Sequence, residues 1–267
     1  MRRIEKTFAE RRAKGGAALV AYLTAGAPSL DETQELVLTA ERAGADIVEI
    51  GVPFSDPTAD GPILQAAFRR ALNRGVTLTA IIDMLAQLRT RTGIPLVLFG
   101  YYNPIFRMGD ERFAAAAAAA GVDGVLVVDL PHEEAAALQR HTDRAGMDFI
   151  SLVTPTTPDG RLRIIAEKAS GFLYYVSITG VTGTAKPDIS SVRNDVARVR
   201  SASRLPIAVG FGISAPAQAF LVSDFADAVV VGSAIASLVE EHSRGKLLHE
   251  TLAAYLRSMK EAIAPCP

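Results

Sequence analysis

Ala43-Gly44-Ala45-Asp46-Ile47-Val48-Glu49-Ile50 joins the end of one helix to the start of one strand. Gly44 stands where a helix needs a left-handed stop, and Ile47, Val48 and Ile50 supply the β-branched side chains of a strand covered on both faces. The same junction recurs at Ala120-Gly121-Val122-Asp123 and Ala145-Gly146-Met147-Asp148, each running into a hydrophobic stretch. One supersecondary unit is being reused along the chain.

Working outward, apolar runs of strand length fall at Ala18–Leu23, Asp46–Ile50, Pro95–Phe99, Gly124–Val128, Phe149–Val153, Phe172–Val176, Pro206–Gly210 and Ala228–Val231. Helix-period segments lie between them. Ser29-Leu30-Asp31-Glu32 has capping-box spacing, and Gly44, Gly75, Gly93, Gly121 and Gly146 sit at helix ends. Strands alternating with helices over 267 residues predict a single α/β domain, residues 1–267, built as a (β/α)8 (TIM) barrel. Ile4–Ala13 reads as an extra N-terminal helix that could cover the bottom of the barrel, and Lys246–Ile263 as a closing helix. The alanine run Phe113–Ala120 reads as a plain helix stopped by Gly121, because alanine has the best helix propensity.

Basic and acidic residues nearly cancel, 28 against 29, and are interspersed. This leaves no extended basic face for nucleic acid or an anionic membrane. No stretch approaches the roughly 18 uninterrupted apolar residues of a membrane span, and the N-terminus has no apolar run of a signal peptide. The lone cysteine, Cys266, gives neither a disulfide framework nor a thiolate metal site. A cytoplasmic protein is expected.

In this fold, chemistry sits at the C-terminal ends of the strands. Glu49 ends the second strand in apolar surroundings, where a carboxyl is harder to ionise and can act as a proton donor. Asp60 lies in the loop that follows and is expected to be wetted, ionised and an acceptor. Pairing of Glu49 with a buried cation, and capping by Asp60 of the helix beginning near Pro62, are the alternatives. Tyr22 and Thr24, Tyr101 and Asn103, Asp129 and Pro131, and Tyr174 hold corresponding positions on other strands. They suit a flat, largely apolar ligand with a few polar handles, or are simply core aromatics and turn residues.

Thr182-Gly183, Gly210-Phe211-Gly212-Ile213-Ser214 and Val231-Gly232-Ser233-Ala234 follow the last three strands. Glycines and hydroxyls there place backbone N–H groups at short helix starts, the recurrent phosphate site of such barrels. A phosphorylated substrate is expected. None of Lys6, Lys14, Lys168, Lys186, Lys246 and Lys260 falls within an expected strand, so a Schiff-base aldolase or a pyridoxal phosphate enzyme lacks its amine. His132, His141, His242 and His249 form no ligand-type cluster, so no metal is expected.

Glu49-Ile50-Gly51-Val52-Pro53-Phe54-Ser55-Asp56-Pro57, continuing through Ala59-Asp60-Gly61-Pro62, closely resembles the signature of the tryptophan synthase α subunit family. Tyr22-Leu23-Thr24-Ala25-Gly26, Tyr101-Tyr102-Asn103-Pro104, Val128-Asp129-Leu130-Pro131, Gly180-Val181-Thr182-Gly183 and Gly210-Phe211-Gly212-Ile213 match in order, so the resemblance spans essentially the whole chain.

The resemblance implies retro-aldol cleavage of indole-3-glycerol phosphate to indole and glyceraldehyde 3-phosphate, with no cofactor. It implies that Glu49 protonates indole C3 and assists removal of the glycerol hydroxyl proton, that Asp60 holds the indole N–H, and that Tyr174 lies near Glu49. Gly183, Gly212, Gly232 and Ser233 would hold the phosphate. Phe99, Tyr101 and Leu130 would line the indole pocket, beside Tyr22, Thr24 and Thr182.

It further implies a pyridoxal phosphate-dependent β subunit as partner, as an α2β2 assembly, contacted by the loop at Asp56 and Pro57. That loop and the long loop Ser177–Asp188 would close the site. Where many members have arginine just after strand six, this chain has Ile178. The alternatives are a standalone indole-releasing lyase of the same family, another phosphate-binding barrel such as an isomerase, and a non-catalytic ligand-binding barrel that regulates a partner.

Overall fold

Eight parallel strands close into one barrel in sequence order, with the first pairing the last. The protein is described by a computed structural model over residues 1–176, 189–210, 212–242 and 245–264. The expectations for Thr182, Gly183, Ile178 and the rest of Ser177–Asp188, and for Phe211 and Cys266, lie outside these residues.

The strands are β1 (Ala18–Thr24), β2 (Ile47–Gly51), β3 (Leu96–Gly100), β4 (Gly124–Val127), β5 (Asp148–Val153), β6 (Leu173–Val176), β7 (Ile207–Gly210) and β8 (Ala228–Val231). The helices in chain order are α1 (Arg3–Ala13), α2 (Leu30–Arg42), α3 (Pro62–Asn73), α4 (Leu78–Arg89), α5 (Tyr102–Met108), α6 (Asp110–Ala119), α7 (Ala136–Arg144), α8 (Asp159–Lys168), α9 (Ile189–Ala202), α10 (Pro216–Ser223), α11 (Ser233–His242) and α12 (Lys246–Ala262). Every expected strand is present, with ends shifted by one residue where they differ. Helix α5 has no counterpart in the sequence reading; Pro104 falls in its first turn, where the missing N–H costs nothing.

Alternation along the strands sorts side chains into two apolar layers. Ala18, Val20 and Tyr22 of β1, Ile47 of β2, Val97 and Phe99 of β3, Leu126, Ile150, Tyr174 and Val230 fill the barrel. Leu19, Ala21, Val48, Ile50, Leu98 and Val125 point outward against the helices. Glu49 lies between Ile47 and Ile50 in sequence, and by period two it faces the interior with Ile47.

The extra helix does cover the bottom. Ile4 and Phe8 of α1 are buried with the barrel interior, and Phe8 packs on Phe172 with ring centroids 5.6 Å apart. The aspartates of the repeated junction supply the anchors. Arg2 pairs with Asp148 at 2.6 Å, Arg3 with Asp123 at 2.9 Å and Arg11 with Asp46 at 2.7 Å. The same aspartates stitch neighbouring strands together: Asp46 accepts the N–H of Leu19, Asp123 that of Leu96, and Asp227, at a fourth junction, that of Ile207.

At the closing side, His249 of α12 bridges to α2, with Nδ1 against Thr39 Oγ1 and Nε2 against Glu32 Oε1, each at 2.8 Å. Ser29 caps α2 by accepting the N–H of Glu32. The Glu32 side chain therefore goes to His249 rather than closing the capping box.

Candidate active site

Register sets the site. Tyr22 of β1 stands opposite Glu49 of β2, and Thr24 opposite Gly51; Glu49 and Gly51 in turn face Val97 and Phe99 of β3. Glu49 is fully buried, and among the described residues neither of its carboxyl oxygens has a hydrogen-bond partner. Among the described residues no cation pairs with it. Burial alone pushes its carboxyl up to about 8, so the group is largely protonated at neutral pH.

Asp60 differs from expectation. It is buried rather than wetted, 4% exposed, and burial raises its carboxyl above the ordinary range. The opposing influence is Tyr101, whose hydroxyl donates to Asp60 Oδ2 at 2.6 Å. The Tyr101 oxygen accepts the Ala59 N–H at 3.0 Å, so loop and aromatic ring are fastened together. Gln65 donates to the Asp60 carbonyl at 2.8 Å. Asp60 is not the helix cap: Gly61 occupies that position, and Pro62 starts α3.

The aromatic wall is ordered. Phe99 lies between two tyrosines, its ring 5.4 Å from Tyr22 in an edge contact and 6.2 Å from Tyr174. Phe54 stacks on Tyr101 at 5.0 Å with 27° between planes. Phe54 was given no role in the sequence reading, although it lies inside the long motif. Burial holds the Tyr174 hydroxyl far from ionisation, with the Glu49 charge the next contributor. Glu49, Asp60, Tyr22, Thr24, Phe99, Tyr101 and Tyr174 thus meet at one end of the barrel, with one carboxyl kept neutral by burial and the other held by Tyr101.

The family model for the tryptophan synthase alpha chain matches residues 8–264. The chain belongs to that family. The tryptophan synthase alpha chain of Geobacter sulfurreducens is 52% identical over 263 residues, covering 98% of this chain and 99% of that one. Tryptophan synthase subunit alpha from Legionella pneumophila superposes with a TM-score of 0.91 at 37% identity, covering 98% of each chain. A chain of Mycobacterium tuberculosis tryptophan synthase gives 0.91 at 32% identity, covering 99% of each. The protein is accordingly an enzyme, the lyase subunit that cleaves indole-3-glycerol phosphate in tryptophan biosynthesis, and its family implies a β-subunit partner.

The remaining expected positions spread around the same end. Gly212 follows β7 with φ of +77°, a conformation that favours glycine. Gly232 and Ser233 stand where β8 hands over to α11, so the first N–H groups of that helix are free of intrahelical partners. Asp56 is exposed on the loop after β2, and Pro57 is half-buried beside it.

Four residues lie apart from the interior cluster. Asn103 is exposed on α5, and Pro131 is exposed beyond β4. Asp129 is also exposed, and its Oδ1 accepts the Tyr102 N–H at 2.7 Å, a structural duty at the start of α5. Leu130 packs against the outer layer between strands and helices, not the barrel interior. Among the described residues no helix is long and apolar enough to cross a membrane, and no three His, Cys, Asp or Glu side chains converge as a metal site.

Proposed function

We propose that Glu49 and Asp60 divide the proton chemistry of indole-3-glycerol phosphate cleavage. The carrying observation is the contrast between them: Glu49 is buried with both oxygens unpartnered, while Asp60 is tied to Tyr101 at 2.6 Å. A protonated Glu49 gives its proton to indole C3, forming a C–H bond and leaving positive charge on the ring nitrogen. Asp60, ionised, accepts the indole N–H and stabilises that charge. The Glu49 carboxylate then takes the proton of the adjacent glycerol hydroxyl. As the aldehyde forms, the carbon–carbon bond breaks toward the ring and restores indole, with Glu49 again protonated. Each step needs only a group already at the barrel mouth, so no cofactor or metal is required.

Gly212, Gly232 and Ser233, with Gly183, hold the phosphate through backbone N–H groups and the serine hydroxyl. Tyr22, Thr24, Phe99 and Tyr101 enclose the indole and glycerol, with Thr182 completing the lining. Tyr174 lies beside Glu49. Asp56 and Pro57 meet a pyridoxal phosphate-dependent β subunit in an α2β2 assembly, and the enzyme works in the cytoplasm.

The test is indole release from indole-3-glycerol phosphate with and without an added β subunit. A slow rate that climbs sharply on adding β supports this reading; a fast rate indifferent to β makes the chain a standalone lyase. Full turnover by Glu49→Gln would remove Glu49 from the chemistry.

A further inference from the structure

Four buried polar atoms at the barrel mouth have no hydrogen-bond partner among the described residues: the Tyr22 hydroxyl, the Thr24 hydroxyl and both Glu49 oxygens. Leaving such groups unmade costs about 1–3 kcal/mol each, so their clustering on two adjacent strands points to use during turnover.

The Tyr22 ring is seated on the neighbouring strand, as Tyr174 is over Gly210. A Cβ built on Gly51 would lie 2.0 Å from the Tyr22 hydroxyl oxygen and 2.4 Å from Cζ, an overlap no alanine could occupy without displacing the ring. The side chain therefore leaves β1, crosses the face of β2 at Gly51, and puts its hydroxyl two residues toward the mouth from Glu49. The edge contact with Phe99 fixes the ring plane.

We propose that Tyr22 is a positioning residue for the lyase reaction: its hydroxyl, seated over Gly51, donates to the Glu49 carboxylate formed when indole C3 is protonated, and Gly51 is glycine to leave room for it. This rests on the role given to Glu49 above. An ionised carboxylate buried without a cation needs a neutral donor. Among the described residues no arginine, lysine or histidine pairs with Glu49. The titratable groups facing that end are Tyr22 from β1, Tyr174 from β6, Asp60 from the loop after β2 and Tyr101 beyond β3. Asp60 is an acceptor and Tyr101 is already spent on it. The Tyr174 hydroxyl is seated over Gly210 of β7, whereas that of Tyr22 is seated over Gly51, on the strand that carries Glu49. Burial above all, and then the Asp60 charge, keeps the Tyr22 phenol protonated, hence a donor.

The test is the pH profile of kcat/KM for indole release by the α–β complex, with Tyr22→Phe, Gly51→Ala and the double variant. Activity needs protonated Glu49, so its profile falls as pH rises. Removing a donor to the ionised form raises the carboxyl further, so Tyr22→Phe moves the falling limb up by about one pH unit and lowers kcat about tenfold with KM little changed. Gly51→Ala moves the limb the same way and raises KM. In the double variant the limb stands where that of Tyr22→Phe stands, because the same donor is lost, while KM stays raised, because the ring carbon Cζ, 2.4 Å from the added methyl group, remains in phenylalanine.

An unmoved limb in Tyr22→Phe, or a limb in the double variant that moves beyond that of Tyr22→Phe, would overturn the proposal. Should Gly51→Ala fail to fold, the Tyr22→Phe profile decides alone. Retained turnover in Glu49→Gln would instead overturn the parent reading of Glu49, which separates the two failures.

Discussion

The Tyr101 hydroxyl donates to Asp60 Oδ2 at 2.6 Å while its oxygen receives the Ala59 N–H at 3.0 Å, so one phenol at the end of β3 fixes both the carboxylate and the backbone of the loop after β2. A carboxylate on a loop acquires in this way the rigidity of a residue on a strand. The reaction benefits because an acceptor already in place pays no reorganisation when charge develops on the ring.

Tyr101→Phe removes the one side-chain influence that opposes burial of Asp60. The Asp60 carboxyl rises further and the loop loses its fastening. We expect kcat/KM for indole release to fall by about 10- to 100-fold, with the loss greatest at low pH, where Asp60 is first to protonate. Inhibition by inorganic phosphate should be unchanged. A phosphate inhibition constant that weakened in step with kcat/KM would mean a collapsed barrel mouth instead.

Glu49 makes stability depend on pH. Its folded value of about 8 stands above an ordinary 4.5, so the folded state binds a proton that the unfolded state has released over that window. Stability from the neutral carboxyl is complete below the unfolded value and is lost as pH rises toward 8, amounting to roughly 3 kcal/mol by neutral pH. Glu49→Gln has no such loss. Urea unfolding at pH 5, 7 and 8.5 should show the variant gaining on the parent from 5 to 8.5, with little further change above; parallel curves would refute the raised carboxyl.

Asp46 holds three donors at the bottom of the barrel: the Leu19 N–H at 2.7 Å, Arg11 at 2.7 Å and Lys260 at 2.5 Å. Asp46→Ala strands a buried N–H and two partly buried cations, and we expect a loss of about 3 kcal/mol in urea unfolding. Arg12 lies 3.7 Å from Asp227 and is 68% exposed, so Arg12→Ala should cost under about 0.5 kcal/mol. Equal losses would show that the distinction between anchored and solvated pairs is wrong here.

Gly75 and Gly121 share a left-handed backbone, with φ of +76° and +78°, yet a Cβ on Gly75 meets nothing within 4 Å, while one on Gly121 lies 2.7 Å from Arg89 Cγ. Gly75→Ala should cost about 1 kcal/mol for the backbone alone. Gly121→Ala should cost roughly 1 kcal/mol more, because Arg89 also holds the Gly121 carbonyl and Asp123. Thermal unfolding of the two variants reads the difference directly.

By itself the sequence determined what depends on neighbours along the chain. Strand runs from Ala18 to Val231, the glycine stops at Gly44, Gly121 and Gly146, and the covering helix after Arg2 were legible because burial pattern and left-handed stops are local. So were Glu49 as an inward carboxyl and the long motif that carries the family. Tertiary structure decided everything that closure of the barrel brings together. Arg11 finds Asp46, Lys260 joins the same carboxylate from the other end of the chain, and His249 reaches Glu32 across 217 positions.

Asp60 was read as wetted because its sequence neighbours are small. It is buried because Tyr101, from the next strand, lies over it. Gly51 carried no local signal at all: its φ is not left-handed, and only the Tyr22 hydroxyl arriving from the adjacent strand explains why a side chain has no place there. Which side chain occupies the space beside a residue is set by register between strands, and register exists only once the sheet has closed.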